Sequence, residues 1–385
     1  LFVLRLFVPF TIPDVSRGRT RSSAVWGDAA VICPWTVYTC YGDIRVLEEQ
    51  YESMKKWVEY IRRQGEDEFL WNTGFHFGDW LGLDAKSGSY VGATPKDFIA
   101  TAFYAYSADI LSKTAGVLGK IEDKAEYAKL HENIVDSFRK EFITPSGRLS
   151  AHTQTGHVLA LRFGLVEEKH RKRTVDALVK YIEENGWHLT TGFVGTPYLC
   201  HVLSENGRND IAYKLLLQKD CPSWLYQVLK GASTIWEHWD GVKEDGTFRS
   251  PDMNSFNHYS YGAIGDWLYR SVAGIDAGAP GYSHIWIKPR PAGGLEYAEA
   301  CLESMYGRIR SAWRKTGSGM EVDVDIPANA SATIVLPYAE IDNISESGVG
   351  VIGADGVRQC GNMDKDARLE VGSGCYKFKY DIVNR

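Results

Sequence analysis

Residues 42–63 read GDIRVLEEQYESMKKWVEYIRR, and their spacing decides the fold class. Leu47, Tyr51, Met54, Val58 and Ile61 recur at intervals of four and three, so they share one stripe of a helix. Glu48, Glu49, Lys55, Lys56, Arg62 and Arg63 fall mostly outside that stripe. Gly42 and Asp43 close a preceding helix and open this one. A helix with a single apolar stripe must lay it against another element, so the pattern predicts packed helices.

Helical periodicity extends from about residue 28 to residue 275. In Thr94-Pro95-Lys96-Asp97, Thr94 reads as an N-cap, Pro95 as the first helical position and Asp97 as a capping acid. Further helices are expected near 121–142, 153–163, 166–185, 197–205, 208–218, 222–230 and 257–274. Some connections are short and contain glycine. Others, over 65–93, 186–196 and 231–256, are long and rich in Trp, Gly and Asp. That alternation is expected of helix hairpins arranged in a ring with a site on one rim. About ten helices result, whereas a closed toroid of six hairpins takes about twelve, so one hairpin is expected upstream of residue 1.

After Gly278-Ala279-Pro280 the period changes from helical to alternating. Ile285 and Ile287, then Val322, Val324 and Ile326, then Tyr376, Phe378 and Tyr380 alternate with polar neighbours, as in antiparallel strands. The expected organisation is an irregular N-terminal remnant over 1–12, an (α/α)6 toroid over 13–277 and a C-terminal antiparallel β-sandwich over 278–385.

Composition narrows the function. The 385 residues are 44% hydrophobic and 24% charged, enough for a large core and a smaller second domain. A net charge of −6 over this length argues against nucleic acid as partner. No apolar stretch is long enough to span a membrane. The 7 cysteines are scattered without CxxC spacing and fit reduced thiols better than disulfides or zinc ligands. No HExxH, GxGxxG, GxSxG or phosphate-binding loop appears, so neither metal nor cofactor is expected. The opening LFVLRLFVPF lacks a leading Met and the layout of a signal peptide, and reads as an internal start. The expected compartment is the cytoplasm or the periplasm.

The 12 Trp and 21 Tyr are the compositional outlier, and position must separate core packing from sugar stacking. In GASTIWEHWDG (231–241), Glu237 lies between Trp236 and His238, with Trp239 and Asp240 beyond. A pyranose offers a C–H face to aromatic rings and hydroxyls to acids and imidazoles, so this run suits a sugar cleft. The competing role for Glu237 is a capping or salt-bridged acid in a Trp-rich core. Asp28, in SSAVWGDAA, sits where an N-cap is the commoner role, and could equally point into a cleft. Asp79, in FGDWL, has the same ambiguity, and Trp80 beside it is well placed to stack. His258, in NSFNHY, could donate to a sugar hydroxyl, although a lone His is more often structural.

WGDAAVICPWTVYTCYGDIRVLEEQYESMKKWVEYI from Trp26, FGDWLG from Phe77, TPKDFIATAFYAYSADIL from Thr94, TIWEHWDG from Thr234 and MNSFNHYSYGAIGDWLYR from Met253 together resemble the bacterial α-L-rhamnosidase family. IWIKPRPAGGLEYAEA and VDVDIPANASATIVLP are similar to its C-terminal β domain. The resemblance implies an (α/α)6 barrel that hydrolyses α-L-rhamnosyl linkages with inversion, with a rhamnosylated glycoside or polysaccharide as substrate. It implies Glu237 as the general base that activates water, Asp28 as an active-site Asp that holds sugar hydroxyls, Trp80 as a pocket wall and His258 as a sugar ligand. Asp14, Trp26, Asp79 and Trp236 join the expected substrate-binding set. Two departures stand out. The family's acidic Glu precedes the WGD motif, where this chain reads VSRGRTR over 15–21. Asp14, Asp28 or Asp79 would then supply the proton, Asp28 first. The chain also lacks domains that family members carry before the barrel, and is expected to be N-terminally truncated. Two other readings stay open: a non-catalytic carbohydrate-binding remnant, and another α/α-toroid glycosidase or lyase.

Overall fold

The computed structural model describes residues 8–9, 22–363 and 365–383. Two compact units emerge, one running to Trp35 and then over Ile44–Ala263, the other formed by Thr36–Asp43 and Ile264–Arg385.

The first unit is helical. Helix α1 (Ala29–Tyr41), whose residues from Thr36 on belong to the second unit, leads into the positive φ of Gly42, 71°, whose N–H bonds the Tyr38 carbonyl at 2.7 Å and ends the helix. Helix α2 (Arg45–Ile61) buries Leu47, Tyr51, Met54, Val58 and Ile61, the stripe read from the sequence, together with Trp57. Helices α3 (Lys96–Val117) and α4 (Ile121–Phe142) pack as a hairpin, as do α5 (Gln154–Arg162) with α6 (Glu168–Glu184) and α7 (Thr196–Glu205) with α8 (Asn209–Leu216). Helix α3 also touches α5, and α5 touches α7, so these three form an inner layer. Their sequences fit the position. Small residues such as Ala100, Ala102, Ala105 and Ala108 let α3 bury most of its residues, whereas α4 buries one face through Tyr127, Leu130, Ile134 and Phe138. Each such large apolar side chain contributes about 1.5–3 kcal/mol by burial. Helix α9 (Trp224–Leu229) is short and capped by the Ser223 hydroxyl, which accepts from the Tyr226 N–H at 3.0 Å.

Two local expectations shift. Helix α3 begins at Lys96, one residue late, because the Thr94 hydroxyl pairs with the Thr153 hydroxyl at 2.6 Å instead of capping. Asp97 does accept the Phe98 N–H, at 2.8 Å. The continuous helix expected over 257–274 is three pieces: a 3-10 turn Ser260–Ala263, α10 (Ile264–Trp267) and a π-helical turn Leu268–Ala273. Gly262 and Gly265 weaken α-helical propensity across that stretch.

The second unit holds two sheets. One orders β1 (Ile275–Ala277), β2 (His284–Ile287), β6 (Ser331–Leu336), β10 (Asp366–Val371) and β9 (Val357–Met363) as β1-β2-β6-β10-β9. The other orders β3 (Tyr297–Ser304), β4 (Gly307–Thr316), β5 (Gly319–Ile326), β11 (Gly374–Asp381), β7 (Ser345–Glu346) and β8 (Val349–Gly350) as β3-β4-β5-β11-β7-β8. All pairings are antiparallel except β2 with β6. Ile285, Ile287, Ile334 and Leu369 from one sheet share a core with Trp313, Val322, Val324 and Phe378 from the other. The alternation read from sequence thus becomes a sandwich, with β1 lying just before Gly278. Among the described residues no helix is long and apolar enough to cross a membrane.

Candidate active site

Three stretches of the first unit build a cleft of about 680 Å³. The first carries Trp26. Its backbone is held at three points: the Ala24 N–H donates to His76 Nδ1 at 3.1 Å, the Val25 N–H to Asp28 Oδ2 at 2.7 Å, and the Phe77 N–H to Ser23 Oγ at 3.2 Å. Val25 takes a left-handed φ of 74°, unfavourable for a β-branched residue, and the Asp28 bond holds it there. His76 is neutral at ordinary pH, because burial pushes its pKa down to about 4. Its other nitrogen, Nε2, donates to the Thr73 carbonyl at 3.1 Å.

The second stretch is the loop 191–194, which presents Phe193. Asp79 organises it. Asp79 Oδ2 accepts from Thr155 Oγ1 at 2.5 Å and from the Gly192 N–H at 2.8 Å, and Oδ1 accepts from the Val194 N–H at 2.9 Å. Gly192 is required by this approach, since a Cβ there would lie 2.2 Å from the Trp80 carbonyl oxygen.

The third stretch carries Glu237 and His258 on two segments that run side by side. The Glu237 N–H donates to the Ser255 carbonyl at 2.9 Å, and Glu237 Oε2 accepts the Ser255 N–H at 3.0 Å. The His258 N–H donates to the Ile235 carbonyl at 2.8 Å, and the Thr234 hydroxyl bonds the Phe256 carbonyl. The His258 ring stacks on Phe193, centroids 4.9 Å apart.

Of the residues named from sequence, Trp26, Trp80, Glu237 and His258 line this cleft. Aromatic contacts run from Trp26 to Phe77, from Phe77 to Trp80, and on through Tyr90 to His238. Trp236, Asp28 and Asp79 are not among the lining residues. Trp236 is buried edge-on against Phe256. Asp28 is fully buried, and its Oδ1 accepts from Trp57 Nε1 at 2.8 Å and Ser107 Oγ at 2.6 Å, in addition to the Val25 bond on Oδ2. Asp14 lies outside the described residues. The sequence reading missed Phe193, Tyr198, Phe103 and Tyr259, which complete the wall. Phe193 sits in TGFVG (191–195), and that pair of flanking glycines was its only signal.

Burial drives the carboxyls of Asp28 and Asp79 up to about 6, against hydrogen bonds that pull them down. A raised folded-state pKa means the folded protein takes up a proton that the unfolded chain still refuses between about pH 6 and 4. The wild type therefore gains stability from Asp28 as the pH falls through that window. The variant Asp28→Asn has no such group. The stability gap between wild type and D28N is expected to widen from pH 7 to pH 4.5 by about 2 kcal/mol. Urea unfolding at both pH values reads it, and a constant gap would place the Asp28 pKa near its ordinary value.

Among the described residues no group of three His, Cys, Asp or Glu side chains could hold a metal ion. Among the described residues, the cleft presents one carboxylate, Glu237, and one imidazole, His258, to a ligand lying between aromatic walls.

Residues 6–272 match the bacterial alpha-L-rhamnosidase 6 hairpin glycosidase domain, and residues 274–350 match the bacterial alpha-L-rhamnosidase C-terminal domain. An alpha-L-rhamnosidase of Streptomyces avermitilis is 39% identical over 356 residues, 92% of this chain and 33% of that protein. One of Formosa agariphila is 36% identical over 379 residues, 97% of this chain and 40% of that protein. The crystal structure of Streptomyces avermitilis alpha-L-rhamnosidase complexed with L-rhamnose superposes with a TM-score of 0.87 at 37% identity, over 94% of this chain and 33% of that one. The chain thus spans between a third and two-fifths of the length of these curated relatives. With the helical unit and the β-sandwich each matched in order, the chain belongs to the bacterial α-L-rhamnosidase family.

Proposed function

We propose that the cleft removes terminal α-L-rhamnosyl residues from glycosides or polysaccharides by an inverting single displacement. The observation that carries this is the placement of Glu237, among the described residues the one carboxylate lining a cleft walled by Trp26, Trp80 and Phe193. In that role Glu237 takes a proton from a water molecule as the water oxygen attacks the anomeric carbon. The glycosidic bond breaks on the opposite face, and the leaving oxygen receives its proton from a second acid. The product is β-L-rhamnose. Asp28, whose three bonds fix Val25, Trp57 and Ser107, is proposed to position Trp26 rather than to deliver that proton. Asp79 is proposed to hold the Phe193 loop. The catalytic domain is proposed to span 13–277 and the β domain 278–385, a division supported by the matched ranges 6–272 and 274–350.

The test is rhamnose release from an aryl α-L-rhamnoside with the product anomer followed by NMR. Appearance of the β anomer first supports inversion, and appearance of the α anomer first sinks it. One observation favours a second reading: inversion needs two carboxyls at the cleft, and a single one lines it among the described residues. A non-catalytic sugar-binding module would bind rhamnose and release none.

Trp80→Ala is expected to raise KM about tenfold and to leave kcat within a few-fold, because a stacked ring holds ground and transition states alike. Steady-state kinetics check it. An unchanged KM would remove Trp80 from the sugar's contacts.

A further inference from the structure

The aromatic residues of the cleft differ sharply in exposure. Phe103 is fully buried, and Trp26, Trp80, Phe193 and Tyr198 are half-buried, but Tyr259 is 88% exposed while still lining the cleft. Its ring lies nearly parallel to His258, at 7° with centroids 5.5 Å apart, and His258 stacks in turn on Phe193 at 26° and 4.9 Å. Three rings therefore form one graded stack, with the half-buried end at Phe193 and the open end at Tyr259.

We propose that Tyr259 is the platform for the leaving group, taking a flat apolar face such as an aryl aglycone or the C–H face of a second sugar. This rests on the glycosidase reading above. Removal of a terminal sugar needs that sugar at the closed end of the cleft and its leaving group directed toward solvent. The half-buried rings and Glu237 make up the less exposed part of the lining, and among the described lining aromatics Tyr259 is the one that faces solvent. An exposed ring held parallel to its neighbour is preorganised, so stacking on it costs little side-chain entropy. The residue sets specificity for the aglycone and leaves the sugar untouched.

The test is calorimetric titration in the Glu237→Gln background, which blocks turnover. L-rhamnose, an aryl α-L-rhamnoside and a rhamnosyl-glucose disaccharide are compared with and without Tyr259→Ala, and with Tyr259→Phe. Tyr259→Ala is expected to weaken the aryl rhamnoside roughly tenfold and leave rhamnose within twofold. Tyr259→Phe is expected to keep the aryl affinity, since the ring face and not the hydroxyl makes the contact. Loss of the disaccharide as well extends the platform to sugars, and its retention restricts it to aromatic aglycones. An unchanged aryl affinity, or an equal loss for rhamnose and aryl rhamnoside, overturns the platform. If the folded wild-type protein binds no L-rhamnose at all, the glycosidase reading fails first and the platform with it. At 88% exposure the substitution leaves the core intact, which superimposable near-UV circular dichroism verifies.

Discussion

Glu237→Gln is expected to lower kcat on an aryl α-L-rhamnoside by roughly 10²–10⁴ with folding and rhamnose binding retained. The rate loss corresponds to about 3–5 kcal/mol of transition-state stabilisation, because an amide cannot accept the proton of the attacking water. Two features of the site make the variant clean. The carboxylate is half-buried, and among the described residues the hydrogen bond it accepts comes from the Ser255 N–H at 3.0 Å. The glutamine amide oxygen can accept the same bond, so the ladder between 235–237 and 255–258 survives. Thermal stability should change by no more than about 0.5 kcal/mol. A residual rate within threefold of wild type would show that another group activates the water, and the proposed mechanism would fall. Loss of rate together with loss of rhamnose affinity would instead make Glu237 a sugar ligand.

Glu237 could be singled out from sequence because its environment is local. The carboxylate, its Ser255 partner and the neighbouring His258 all fall within about one loop, and Trp and Gly mark that loop. Asp28 and Asp79 carry similar local signals, each beside a glycine and near a Trp, and the sequence gives no way to see which way they face. Their donors come from elsewhere. Asp28 is claimed by Trp57 and Ser107, 29 and 79 positions away, and Asp79 by Thr155, Gly192 and Val194, 76 to 115 positions away. A carboxylate taken up by long-range partners looks, in one dimension, like a carboxylate left for a substrate. The same limit explains Trp236, which reads as a stacking ring and is buried against Phe256. Helix α2 was legible because one exposed face leaves a period. Helix α3, with most of its residues buried, was placed by its leading Thr-Pro signal instead.

Asp79→Ala is expected to cost the first unit about 3–4 kcal/mol of stability. Three donors converge on this buried carboxylate: the Thr155 hydroxyl from α5 and the Gly192 and Val194 N–H groups on either side of Phe193. Alanine removes every acceptor at once. Two backbone N–H groups and a hydroxyl are left in a buried site, and hydrogen bonds to a charged group are worth about 1.5–3 kcal/mol each before water offsets part of the loss. A water could enter the space the carboxylate leaves, since the lining is polar, which keeps the total below the simple sum. For a unit of this size the loss corresponds to a fall in Tm of roughly 6–12 °C, read by near-UV circular dichroism. Asp79→Asn should fall by less. Its single amide oxygen still serves one side, while its NH₂ meets an N–H donor on the other. The functional consequence separates this residue from Glu237. Once the 191–194 loop is released, Phe193 no longer supports His258, so rhamnose affinity should drop in the protein that remains folded. A catalytic carboxylate would show the reverse pattern, with stability and binding kept and turnover lost. An Asp79→Ala protein that melts within 2 °C of wild type would refute the anchoring role, and would return Asp79 to the list of acids able to protonate the leaving oxygen.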